Sequence, residues 1–142
     1  MTEIHERLAA DCIRLGRLPL SHVLLMNDSN YPWFILVPAR DGIREIYQLE
    51  AEDRTRLLDE SCALSEFIMD YYRGEKLNVA ALGNQVPQLH LHHIVRYASD
   101  PAWTGPIWGK QPAEAYSAAA IDEIRALLSG AGLDGYIAAG DA

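Results

Sequence analysis

The chain has 142 residues, enough for one domain with a full core and too few for two ordinary ones. Hydrophobic residues make up 49% and charged residues 23%, the balance of a globular protein that folds in water. A formal net charge of −8 argues against a general nucleic-acid or membrane-surface binder, which needs a basic face. It leaves room for a small anion held in a local pocket.

Residues 1–10 carry early acids and no apolar core of a secretion signal. No apolar run approaches the ~18 residues of a membrane span. Cys12 and Cys62 stand outside any CxxC pair, which suggests free thiols and a reducing, cytoplasmic setting. No repeat, low-complexity tract or linker divides the chain, so residues 1–142 read as one domain.

In chain order, residues 2–15 read as a helix, with Ile4, Leu8, Cys12 and Leu15 forming a stripe, Thr2 a cap and Gly16 a stop. His5 lies beside that stripe and reads as surface. Residues 21–26 (SHVLLM) and 33–37 (WFILV) are short apolar runs joined by the polar turn NDSNY, and read as a hairpin. Their lack of alternation predicts burial on both faces, by helices or a partner subunit. A turn around Asp41-Gly42 leads to a short strand at 45–49. Residues 50–73 give the strongest helix signal. Glu50, Glu52 and Asp53 suit its positive end, Leu57, Leu64 and Ile68 form its apolar face, and Arg73-Gly74 ends it. Residues 77–82 read as a strand, with Asn78 pointing to one face.

The stretch that carries chemistry is LNVAALGNQVPQLHLHHIVR, residues 77–96, which holds three of the five histidines. Pro87 lacks a ladder donor and so begins a strand. Along it Gln88, His90 and His92 share one face, while Leu89, Leu91 and His93 take the other. Two imidazoles two residues apart on a strand lie roughly 6.5–7 Å apart at the backbone, close enough to touch one phosphate. From 76 to 98 there is no Asp or Glu, while Lys76 and Arg96 are present, a local charge balance that suits an anion. The bland alternative is a half-buried strand whose histidines are satisfied by neighbours. A metal site is disfavoured, because His90 and His92 supply only two ligands. The Trp- and Pro-rich segment ASDPAWTGPIWGKQP reads equally as a packed arm or as a lid beside the histidines. Residues 117–129 form a last helix, and the tail AGLDGYIAAGDA shows no period, so it reads as loose or packed on a partner.

The run GNQVPQLHLHH, with NDSNYPWFILVP upstream and a long helix between, resembles the histidine triad (HIT) family of nucleotide hydrolases and transferases over about residues 21–97. The family's signature alternates three histidines with hydrophobic residues on a strand. The resemblance implies that His90 is the nucleophile that forms a nucleotidyl-histidine intermediate, of the phosphoramidase or dinucleoside polyphosphate hydrolase type. It implies that His92 assists at phosphate or leaving group, that Asn84 and Gln85 contact phosphate, and that Asn30 with Asp28 lies where ribose and base are held. It places Gln88 at the first triad position, and Trp33 where the family usually has a histidine in the hairpin. Asn78 and Trp33 join the candidate substrate-binding residues. The resemblance further implies a small-molecule nucleotide substrate, a two-fold homodimer, and no resident cofactor or metal. A nucleotide-binding or regulatory protein with little turnover is the alternative, since glutamine cannot exchange protons near pH 7. The elements together predict an α+β fold: an antiparallel sheet of about five strands, the long helix packed across it, and flanking terminal helices.

Overall fold

The apolar runs Ser21–Met26 (β2) and Trp33–Pro38 (β3) pair antiparallel in the computed structural model, which describes residues 2–140. They lie at the centre of a six-stranded antiparallel sheet of order β4-β5-β3-β2-β1-β6. Here β1 is Cys12–Arg17, β4 Lys76–Ala80, β5 Leu91–Arg96 and β6 Ile137–Ala138. The helices are α1 Glu6–Asp11, α2 Ala51–Tyr72 and α3 Ala118–Ser129. The α+β class is as the sequence predicts.

Both faces of the central strands are covered, which is why their runs do not alternate. On one face Val23, Leu25, Phe34, Leu36, Leu91 and Val95 pack with Leu57, Leu64 and Ile68 of α2 and with Leu128 of α3. On the other, Leu24, Trp33, Ile35, Val37 and Ile94 pack under Leu8 of α1, Val86, Ala102 and Ile107. Leu64 and Ile68 are fully buried, so truncating either to alanine costs about 2–5 kcal/mol.

Three expected elements differ. The helix expected over 2–15 is only α1, because residues from Cys12 onward form β1 against β2. Ile13 and Leu15 face the helix-covered core while Arg14 between them is exposed, a period of two that the sparse stripe concealed. Gly16 is no helix stop. It sits at a register shift in β1, where a Cβ would run into the Ile137 carbonyl and the Tyr136 ring. The strand expected at 45–49 is a single 3-10 turn, Ile46–Gln48, closed by reciprocal bonds between Glu45 and Gln48. The tail supplies β6 on the β1 edge, with Tyr136 donating to the Leu15 carbonyl at 3.0 Å. Met1 and the tail's last residues, Asp141 and Ala142, lie outside the described residues. At the end of α2 the left-handed residue is Arg73, at φ 55°. Gly74 is needed instead for space, because a Cβ there would meet Val95 and Met69.

A buried ion pair fixes the Trp-rich segment onto the second face. Arg96, at the end of β5, grips Asp100 through Nε at 2.7 Å and Nη2 at 3.0 Å. It also donates to Asn78 at 2.7 Å and to the Gly105 carbonyl at 2.9 Å, with the Trp103 ring 5.7 Å away. Burial alone raises the Asp100 carboxyl. The guanidinium and the N–H groups of Tyr97 and Ala102 outweigh that and hold it below the usual range.

Candidate functional site

The strand β5 begins at Leu91, later than Pro87, so Gln88 and His90 precede the ladder. There Leu89 N–H donates to the Ile43 carbonyl at 3.0 Å. The approach still brings His90 and His92 together, their ring centroids 4.8 Å apart and nearly perpendicular. Both rings are buried. His93 points to the opposite face, as the alternation predicts, and meets Ser61 Oγ of α2 at 2.7 Å.

The hydrogen bonds fix the proton of each site imidazole. His90 Nδ1 lies 2.7 Å from the Gln88 carbonyl. A carbonyl only accepts, so Nδ1 carries the hydrogen and Nε2 keeps its lone pair in the neutral ring. His92 Nδ1 lies 3.0 Å from Nε1 of Trp33. An indole N–H only donates, so this Nδ1 is bare and the hydrogen sits on Nε2, which donates to the Leu82 carbonyl at 3.0 Å. Burial lowers the His92 pKa to about 4, a fall that the Leu82 contact opposes and His90 reinforces. Trp108 closes the group, its ring centroid 5.3 Å from His92 and 6.1 Å from Trp33.

A small polar cleft of about 80 Å³ opens at His90, lined by Arg44, Glu45, Gly83, Asn84, Pro87 and Gln88 among others. It is far below the roughly 300–1,000 Å³ of whole-ligand pockets and matches a single phosphoryl group. Gly83 makes it possible: a Cβ there would come within 3.0 Å of His90 Cε1 and closer still to the Val86 carbonyl. A second cleft, of about 590 Å³, shares Arg44 and Gln88 with the first and is otherwise walled by residues 2–6 and 40–43.

The other expected site residues fall in different places. Asn84 lines the cleft of His90, and Gln85 is exposed beside it. Gln88 turns its side chain to the N-terminal segment, accepting from His5 N–H at 2.7 Å and donating to the Glu3 carbonyl at 2.9 Å. Asp28 accepts from the Asn30 side chain at 2.8 Å and from Glu114 N–H at 3.3 Å, while Asn30 also donates to the Pro112 carbonyl at 3.0 Å. Those two residues therefore tie residues 112–114 to the hairpin. Asn78 is held by Arg96, and Arg96, engaged with Asp100, is not an anion ligand. The cation that does line the cleft is Arg44. Sequence reasoning missed it because only the fold brings the 40–44 turn to the histidines. Among the described residues no cluster of three or more His, Cys, Asp or Glu is placed to hold a metal, and no helix is long and apolar enough to cross a membrane.

Residues 7–99 match the model of the HIT domain family. The chain belongs to the histidine triad family. The HIT match begins earlier than the motifs alone suggest, taking in all but the first residue of α1 and the whole of β1. Three solved structures share the fold over most of their length. A histidine triad protein from Marinobacter aquaeolei VT8 is 58% identical with a TM-score of 0.90, covering 92% of this chain and 96% of that one. One from Bradyrhizobium japonicum is 41% identical with a TM-score of 0.88, covering 90% and 96%. A HIT protein from Sinorhizobium meliloti 1021 is 38% identical with a TM-score of 0.88, covering 91% and 96%. No match is found among curated proteins. Membership of the HIT family gives the chain a function of the nucleotide-binding, hydrolase type.

Proposed function

We propose that the protein is a nucleotide hydrolase or nucleotidyl transferase that works through a nucleotidyl intermediate on His90. The observation that carries this reading is the Nδ1–H bond from His90 to the Gln88 carbonyl, which leaves Nε2 as the free lone pair beside a phosphoryl-sized cleft. Arg44 and Asn84 in that cleft supply a cation and an amide for phosphate oxygens. The larger cleft that shares Arg44 and Gln88 gives room for the rest of a nucleotide. Gln88 stands at the first triad position as a variant residue that orients rather than exchanges protons.

The same reading takes residues 1–142 as one HIT domain that acts as a homodimer in the cytoplasm. Exposed apolar side chains on α2 (Leu58, Tyr71) and on the edge strand β4 (Val79) support pairing through those elements. The free thiols of Cys12 and Cys62 support a reducing compartment.

The test is turnover of a nucleoside 5′-phosphoramidate and a dinucleoside polyphosphate by wild type and by His90→Ala. Loss of the nucleophile is expected to lower kcat by about 10³-fold or more, and to abolish a trapped nucleotidyl adduct. No turnover by wild type, with nucleotide still binding, would establish the alternative of a nucleotide-binding protein. Equal rates in both proteins would remove His90 from the chemistry.

A further inference from the structure

The proton inventory of the site bears on which leaving groups it can expel. The polar side chains around the nucleophile and at the triad and hairpin positions include Asn84, Gln88, His92, Trp33 and Arg44. Side-chain amides and indole do not titrate near neutral pH, and a guanidinium does not give up its proton. That leaves His92, and its two nitrogens are both occupied within the protein, Nδ1 by the Trp33 N–H and Nε2–H by the Leu82 carbonyl. To carry a transferable proton the ring would need a hydrogen on Nδ1, where the Trp33 hydrogen already points. His5 does not fill the role: its Nδ1 accepts from Arg7 N–H at 3.1 Å, and it lines the larger cleft rather than that of His90. Glu45, at the cleft wall, is the capping residue of the 3-10 turn, tied to Gln48 through its own N–H at 3.0 Å.

We infer that this site selects nucleotidyl anhydrides, whose leaving group departs as a stable phosphate or carboxylate oxyanion, over phosphoramidates, whose nitrogen must be protonated to leave. The inference rests on the reading of His90 as nucleophile. Trp33 is its positioning residue, acting through His92. In the first step the Nε2 lone pair of His90 forms a bond to the α-phosphorus. The P–O bond to the leaving group breaks, and its electron pair departs on that oxygen with no proton required. The Nδ1–H stays on the Gln88 carbonyl throughout. In the second step water attacks the phosphorus and the N–P bond breaks. Its electrons return to Nε2, and the proton released from water passes to solvent. A phosphoramidate would have to expel an amide anion in the first step, because no neighbouring group hands it a proton. The lowered His92 pKa agrees with this assignment without being needed for it.

The test compares kcat/KM of wild type on a dinucleoside polyphosphate and on a nucleoside 5′-phosphoramidate. It adds a series of nucleoside 5′-phosphate aryl esters whose phenols span a range of acidity. Because general acid catalysis is worth about 10²–10⁴-fold, the anhydride is expected to exceed the phosphoramidate by about 10²-fold or more. The aryl esters should slow steeply as the phenol becomes less acidic. Trp33→His offers His92 a partner that both gives and takes a proton, and is expected to raise phosphoramidate turnover and flatten the aryl-ester dependence. Trp33→Phe frees Nδ1 and should flatten it too, a change that mere loosening of the fold would not produce. ¹⁵N NMR of the histidines should find His92 as the Nε2–H tautomer at pH 7. Comparable rates on both substrate classes, lost together in His90→Ala, would overturn the selectivity and leave the nucleophile standing. So would a flat aryl-ester series or an Nδ1–H tautomer for His92. Inertness on every substrate, or activity that survives His90→Ala, would instead overturn the His90 reading and this inference with it.

Discussion

Gln88 uses its side-chain amide as a piece of main chain. One end accepts from His5 N–H and the other donates to the Glu3 carbonyl, much as a neighbouring strand would. A histidine at this position, with one donor and one acceptor in a rigid ring, lacks the forked reach that bonds both groups at that spacing. Gln88→Ala is therefore expected to leave those two groups unpaired and to cost about 1–2 kcal/mol, at about 1 kcal/mol for each bond. The loss should be local, since His22 still holds the Thr2 carbonyl at 2.9 Å. Amide hydrogen exchange at His5 should quicken while that of β5 stays protected. Unchanged exchange at His5 would show that the clamp does not hold the segment in solution. The alternation of Gln88, His90 and His92 made the histidine pair legible in the sequence. It did not reveal that Gln88 faces the N-terminal segment, because that contact spans 83 residues. Nor did it reveal Trp33 as the partner of His92, a pairing that depends on β3 lying beside β5.

At the scale of elements, the segment after β5 is held by charge rather than by secondary structure. Arg96 and Asp100 have side chains only 2% and 4% exposed, and removing one partner of such a pair strands the other charge in the interior. Asp100→Ala is expected to cost about 3–5 kcal/mol and to release residues 97–112, with Trp108, from His92. The protein would then unfold at lower urea, and tryptophan emission would shift to the red before the global transition. A single coincident transition with native emission would mean that the segment is held by its apolar contacts alone, through Ala102 and Ile107. In the sequence Arg96 reads as available to an anion, because the nearest acid, Asp100, lies just past the acid-free stretch. Four residues of chain, turned back by Tyr97 and Ala98, bring it into range. The element misread most fully, residues 2–15, fails for a related reason. Ile4, Leu8 and Cys12 fit a helical stripe, yet Cys12–Arg17 has the β2 edge to pair with, and tertiary pairing overrides a weak local period. The long helix α2 was legible because its 22 residues repeat the pattern many times and carry acids at the start.

For the whole molecule, three of the four buried histidines, His22, His92 and His93, make folding a competition with protonation. Burial lowers the pKa of His92 and of His93 to about 4, and lowers that of His22 as well. The unfolded chain takes up these protons near pH 6.5. Between pH 6.5 and about 4 the unfolded state therefore binds more protons than the folded one, so stability falls as pH falls through that window and is fully present above it. For His93, the deepest of them, the loss between pH 7 and pH 4 is on the order of 3 kcal/mol. Glu60 works in the opposite sense, since burial raises its carboxyl and its protonation favours the folded state. A difference measurement isolates the histidine. His93→Gln keeps a hydrogen-bonding side chain for Ser61, removes the titration, and touches neither His90 nor Trp33. Urea midpoints measured from pH 7.5 to pH 4 should drop less steeply in the variant than in wild type, with the two curves converging or crossing toward pH 4. Parallel curves would mean that His93 takes up its proton in the folded state, and that the pairing of Ser61 with His93 accommodates an imidazolium inside the core.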